Sequence, residues 1–203
     1  MEYRAVENRC AVALDALQLP IPHEETMAIL VQKGFIVTEV DIVGIARRCV
    51  GVSQYRRGAK PSEASAVVDC SSFIKWLYAQ RGIWLPRRSI QQRQLGESVG
   101  LTEVVAGDVV FVSGRIDYYI SDPSDGVGHV GIITGDRTII HAANKRAGVI
   151  ESHLSQFVGD KFRGARRYIP KDKKVITLKI PIEWEVETED DIRWIILQAL
   201  GRR

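Results

Sequence analysis

Between residues 107 and 169 the chain carries short runs of β-formers separated by glycine and aspartate, a punctuation that reads as a succession of strands with a hairpin among them. Gly107-Asp108 opens the run Val109-Val110-Phe111-Val112. Val130 to Thr134 and Thr138 to His141 follow, joined by Gly135-Asp136, which reads as a hairpin turn although Arg137 rather than glycine comes next. A further strand is expected over 164–169. The Ser-, Asp- and Gly-rich stretch from Ser113 to Gly128 reads as one long loop.

Ahead of this stretch the periodicity is helical. Val6, Cys10, Ala13 and Leu14 can share a face of a helix over Glu2–Leu17 that stops before Pro20 and Pro22. A second helix is predicted from Glu24 to Lys33, ended by Gly34. Thr38 and Asp41 give a capping signal for a third, in which Ile42, Ile45, Ala46 and Cys49 recur before Gly51. Cys10 and Cys49 therefore read as small buried residues. Helical segments and strands together place the chain in the α+β class. At the C-terminal end the alternate positions Ile176, Leu178, Ile180, Ile182, Trp184 and Val186 are apolar, as in a half-buried strand, with Pro181 marking an edge or a break. Thr188 and Asp191 then cap a helix containing Trp194, Ile195, Leu197 and Leu200, and both Trp184 and Trp194 are assigned to packing.

A length of 203 residues with 45% in the hydrophobic set is enough for one sizeable core. With 26% charged residues and a formal net charge of +3, composition excludes a disordered chain and gives no sign of a nucleic-acid binder; it mildly favours an anionic partner. No basic, apolar and small-residue leader is visible at the start, and no apolar run approaches the roughly 18 residues needed to span a bilayer. A cytoplasmic location and export to the envelope by an unseen route both stay open. The three cysteines Cys10, Cys49 and Cys70 form neither a paired disulfide framework nor CxxC spacing, which leaves room for a reduced thiol with a chemical task.

Cys70 is the candidate. Val67-Val68-Asp69-Cys70 leads into the stripe Phe73, Ile74, Leu77, so the thiol belongs in the first turn of a helix that ends at Gly82. There the unpaired amides and the positive helix end favour thiolate. His129 begins one predicted strand and His141 ends the next, which puts the two at the same end of an antiparallel pair. His129 can then act as base and later as acid, with His141 orienting it through one ring nitrogen. Asp69 reads as a cap or brace, Ser71 as support for the turn, and the Cys70 amide as an oxyanion donor. Cys70, His129 and His141 are also compatible with zinc. Arg87-Arg88 and the later Arg163, Arg166 and Arg167 are either solvated charges or holders of substrate carboxylates. His23 and His153 have no comparable neighbours in the pattern.

These strings together resemble the NlpC/P60 family of cysteine peptidases. The matching residues are Gln54-Tyr55-Arg56-Arg57-Gly58, Val68-Asp69-Cys70-Ser71-Ser72-Phe73-Ile74, Leu85-Pro86-Arg87 with Gln91-Gln92, Gly107-Asp108-Val109-Val110-Phe111, Gly128-His129-Val130-Gly131-Ile132 and Ile140-His141-Ala142. The resemblance covers about residues 40 to 170, each string being weak alone and the order and separations strong together. It implies a papain-like α+β fold, a helical part packed on a central antiparallel sheet, with Cys70 as nucleophile, His129 as base and acid, His141 as orienter and Tyr55 as the oxyanion-loop tyrosine. It needs no cofactor and no metal. The implied partner is peptidoglycan or its stem-peptide fragments, not nucleic acid and not an inserted membrane, and the implied bond joins gamma-D-glutamate to a diamino acid. Arg56-Arg57-Gly58 stands where the family loop usually has Trp-Gly-Gly, so Arg56, Arg57, Arg87 and Arg88 are carried as candidate substrate contacts. An amidase or acyltransferase on another substrate, and a non-catalytic peptide-binding protein, are the rival readings. The expected layout is an N-terminal helical extension over 1–39, a catalytic domain over 40–170 and a C-terminal strand-helix extension over 171–203 packed on the core.

Overall fold

A computed structural model describes residues 2–114 and 126–201. In chain order it contains β1 (Arg9–Ala13), α1 (His23–Gln32), β2 (Ile36–Thr38), α2 (Ile42–Cys49), β3 (Gln54–Tyr55), β4 (Val67–Val68), α3 (Cys70–Gln80), α4 (Ser89–Gln92), β5 (Glu97–Val99) and β6 (Val109–Val112). There follow β7 (His129–Ile133), β8 (Thr138–Asn144), β9 (Gly148–His153), β10 (Phe162–Arg167), β11 (Val175–Lys179) and α5 (Glu189–Leu200). The architecture is α+β, helices packed against a central antiparallel sheet in the papain-like manner. Most of the stretch expected to form one long loop, 113–128, falls on 115–125 and lies outside the described residues. No helix among the described residues is long and apolar enough to cross a membrane.

The chain divides into two compact units. One comprises residues 41–77 and 85–168 and is built on an antiparallel sheet of order β5-β10-β6-β7-β8-β9. Val99, Val110, Val112, Ile133, Ile139, Phe157 and Ala165 are buried together on it. The hairpin from β7 to β8 turns where Gly135-Asp136 is found, with Gly135 at φ 98° and Arg137 itself in the left-handed region at φ 57°. Gly131 lets β8 come close, since a Cβ there would stand 2.7 Å from Ile139 Cγ1 and 3.1 Å from His141 Cβ. The short β3 pairs in parallel with β4, Tyr55 opposite Val68.

The other unit comprises residues 2–40, 78–84 and 169–201. Both ends of the chain enter its three-stranded sheet, in which β11 lies between β1 and β2. The helix expected over Glu2–Leu17 is replaced by β1 and a 3-10 turn at Leu14–Leu17. Cys10, Ala11, Val12 and Ala13 are all buried, and a strand covered on both sides has no alternation by which to tell it from a helix. The strand expected from Ile176 to Val186 ends at Lys179. Pro181 brings no amide, and Ile182 is 98% exposed. Trp184 packs beside this unit's apolar cluster and donates its indole N–H to the Lys33 carbonyl at 3.1 Å. Trp194, assigned to packing from its helical spacing, is 58% exposed. The α5 cap forms as the sequence indicates, with Thr188 and Asp191 in a reciprocal capping box.

Candidate active site

Cys70 is the first residue of α3, half-buried, directly after the buried Val68 and Asp69. The Asp69 carboxylate accepts the Ser72 amide at 2.8 Å while Ser72 Oγ accepts the Asp69 amide at 2.8 Å, a reciprocal cap that fixes the helix start. The Ser71 and Cys70 amides at the helix start favour the thiolate form of the sulfur. Burial nevertheless dominates: with the Asp69 charge it pushes the thiol up to about 11, against those amides and Arg87. A helix start alone therefore does not leave a resting thiolate here, contrary to the sequence expectation.

Arg87 fastens this side of the site. Its Nη1 donates to Asp69 Oδ1 and to Ser71 Oγ, each at 3.0 Å. Nη2 donates to the Ala59 carbonyl at 3.0 Å and also to Asp69 Oδ2. The Gly58 amide reaches the same carboxylate at 3.0 Å. Burial by itself would raise the Asp69 carboxyl, but Arg87 and the Ser72 amide outweigh it and hold the group below the usual carboxylate range. Tyr55 is carried to this corner by its pairing with β4. Its hydroxyl is raised by burial and then by the neighbouring Cys70 and Asp69, so it stays protonated and able to donate.

The histidines approach from the sheet. His129 Nε2 lies 2.8 Å from His141 Nδ1, and His141 Nε2 lies 3.0 Å from Ser152 Oγ. Phe157 packs on both rings, with centroids 5.7 Å from His129 and 4.9 Å from His141. Burial lowers His129 to about 3, with a smaller push from His141, and lowers His141 to about 4. Both rings are neutral at pH 7. Because Nε2 of His129 is engaged with His141, Nδ1 is the nitrogen left for a thiol proton.

All of this opens onto one cavity of about 1340 Å³ within the first unit. Cys70, His129, His141, Tyr55, Asp69 and Ser71 line it together with Arg57, Arg87 and Arg88. Arg56 is not part of the lining; its guanidinium pairs with Glu63. Arg163, Arg166 and Arg167 do not line it either, and Arg167 binds Asp108 through bonds of 2.9 and 2.7 Å. Among the described residues no group of three His, Cys, Asp or Glu side chains is disposed to hold a metal ion.

Residues 51–167 match the NlpC/P60 family. The chain belongs to this family. It is 30% identical over 144 residues to a gamma-DL-glutamyl hydrolase of Bacillus subtilis, an alignment covering 68% of this chain and 32% of that protein. Over 120 residues it is 28% identical to a murein DD-endopeptidase/murein LD-carboxypeptidase of Escherichia coli, covering 58% and 57%. The chain thus spans about a third to a little over half of these relatives' lengths. The solved structure of NlpC1 from Trichomonas vaginalis shares the fold, with TM-score 0.55 and 21% identity over 64% of this chain and 44% of that one.

Within this NlpC/P60 domain, sequence reasoning did not reach Ser152, Phe157, Asn144, Gln156 or Lys161. Ser152 belongs to β9, and the signal for that strand was present: Gly148, at φ 67°, ends a short polar connection between apolar runs. Phe157 sits in a 3-10 turn, where no periodicity marks an inward side chain.

Proposed function

We propose that the chain is a cysteine peptidase that cleaves peptidoglycan stem peptides, at the bond between gamma-D-glutamate and a diamino acid. The observation that carries this reading is the meeting of Cys70, the His129–His141 pair and Tyr55 around one cavity. Family membership supports thiol-dependent hydrolysis of wall peptides, and the B. subtilis relative's name supports a gamma-glutamyl linkage. Charge agrees: the cavity lining carries Arg57, Arg87, Arg88 and Lys161, and its one carboxylate among the described residues, Asp69, is already bound by Arg87. An acidic peptide suits such a wall.

In the proposed reaction thiol and imidazole start neutral. As the substrate carbonyl settles against the Cys70 and Ser71 amides and the Tyr55 hydroxyl, His129 Nδ1 takes the thiol proton and Sγ bonds to the carbonyl carbon. The imidazolium so formed donates its Nε2–H to His141. Collapse of the tetrahedral intermediate breaks the C–N bond, and Nδ1–H passes to the departing amine. Water, deprotonated by His129, then hydrolyses the thioester and returns Cys70 as a thiol.

Matched peptides differing only in gamma-D-glutamyl or alpha-L-glutamyl linkage, with products resolved by mass, test the reading. Release of the diamino-acid fragment from the gamma-D form alone, abolished in Cys70→Ala, is expected. Cleavage of only the alpha-L form overturns the substrate, and unchanged turnover by Cys70→Ala overturns the nucleophile. The variant should fold, since a truncation at a half-buried helix start leaves a smaller cavity than one in the core.

A further inference from the structure

The His129–His141 contact does not end at His141, and its continuation has a chemical direction. We infer that Ser152 is a positioning residue, whose hydroxyl oxygen accepts Nε2–H of His141 and thereby keeps Nδ1 of His141 bare for His129. This rests on the reading of His129 as the base.

To take a proton from Cys70, His129 must present a lone pair at Nδ1, so its own proton belongs on Nε2. That N–H points at His141 Nδ1, 2.8 Å away, which must then be an acceptor. A neutral imidazole bare at Nδ1 carries its proton at Nε2, and the atom 3.0 Å from that nitrogen is Ser152 Oγ. The opposite arrangement, with His141 donating from Nδ1, places the His129 proton on Nδ1 and blocks the base. Once His129 is an imidazolium the choice disappears, because Nε2–H must find an acceptor.

Ser152 reaches this place through strand register. His141 pairs with Ile150, so Ser152 is its diagonal neighbour two residues along β9, on the same face of the sheet. Among the described residues Ser152 Oγ is the hydrogen-bond partner found at this nitrogen, Phe157 packs against the ring at 4.9 Å, and His141 is 7% exposed. A buried N–H without an acceptor is costly, so removing the Ser152 hydroxyl favours the tautomer that disables His129.

The test needs no peptide substrate. Nitrogen-15 NMR of the wild-type protein should find the His141 proton on Nε2. In Ser152→Ala that resonance should move toward the Nδ1–H form. Alkylation of Cys70 by iodoacetamide at pH 7 should slow by about 2- to 10-fold, the worth of one neutral hydrogen bond. Ser152→Thr, which keeps the hydroxyl, should restore both readouts. A proton on Nδ1 of His141 in the wild type overturns the inference, even if Ser152→Ala fails to fold. So does Ser152→Ala with an unchanged tautomer, whatever its alkylation rate. Neither readout depends on the peptide cleaved, so a wrong substrate assignment leaves the Ser152 inference standing, and a wrong Ser152 inference leaves the substrate assignment standing.

Discussion

The two walls of the cavity are built on opposite electrostatic principles. Around Cys70 a carboxylate, a guanidinium and several backbone amides are bound to one another, and the charge on Asp69 is balanced within hydrogen-bond distance. Around His129 the hydrogen-bond and ring contacts among the described residues are uncharged: two neutral rings and a serine form a line beside Phe157. The charged wall holds a geometry and the neutral wall holds a proton inventory. A group that must gain and lose a proton in each turnover is better placed where no fixed charge locks it in one state.

Replacing the acting member of the neutral wall should have the largest consequence. His129→Ala should lower kcat/KM by about 10³- to 10⁴-fold, in the range of general acid–base catalysis, measured on the gamma-D-glutamyl peptide. A loss below about tenfold in that assay removes His129 from the mechanism. Next comes Phe157→Ala, which opens the apolar cover of both rings. It should cost about 3–4 kcal/mol in urea denaturation, and NMR titration should find His129 and His141 moving up toward ordinary imidazole values, because burial is what depresses them. Unmoved titrations would assign the depression to some other part of the wall.

The charged wall is tested by Arg87→Ala. Asp69 is buried and Arg87 about one-third exposed, so the loss is discounted from that of a fully buried pair to about 2–3 kcal/mol. The folded Asp69 carboxyl lies below its unfolded value, so its contribution is present above the unfolded value near 4 and disappears as pH falls through the folded one. Wild type and variant should therefore converge in stability in acid. A gap in urea midpoint that persists undiminished at pH 2 would assign the effect of Arg87 to packing.

Each wall was readable from sequence only in part: in the charged one the helix start was legible, but Arg87, read as a solvated charge or a substrate contact, binds Asp69 and Ser71 instead. Asp69, Cys70, Ser71 and Ser72 are neighbours in the chain, and their relations follow from helix-start geometry that one turn of sequence specifies. His129 and His141 were placed by the hairpin pattern, since a two-strand register needs only a turn and a period of two. Ser152 needed one more strand and Phe157 a non-periodic turn, and no local signal carries an error-free register that far. In the second unit the same limit produced a wrong element: β1 is buried on both faces, and the Ile192, Ile195 and Ile196 that pack with its Cys10 and Val12 come from more than 170 residues away in the chain.

The smallest expected effect concerns pH alone, and it separates the walls most cleanly. A histidine whose folded value is depressed binds fewer protons folded than unfolded between the two values, so stability rises with pH across that window. For His141 the window runs from about 4, its value here, to the ordinary 6.5. Lowering the pH from 7 to 5 should then cost about 2 kcal/mol through this ring, while Asp69, already ionised in both states over most of that range, contributes little. His141→Gln keeps a hydrogen-bonding side chain and removes the titration, so its urea-derived stability should fall less steeply between pH 7 and 5 than that of the wild type, by roughly 1–2 kcal/mol. His23, His129 and His153 are present in both proteins, and only the smaller part of the His129 depression, the push from His141, changes with the substitution. Parallel slopes in the two proteins would mean that His141 titrates normally in the folded state, and with that the neutral wall would lose the property that distinguishes it from the charged one.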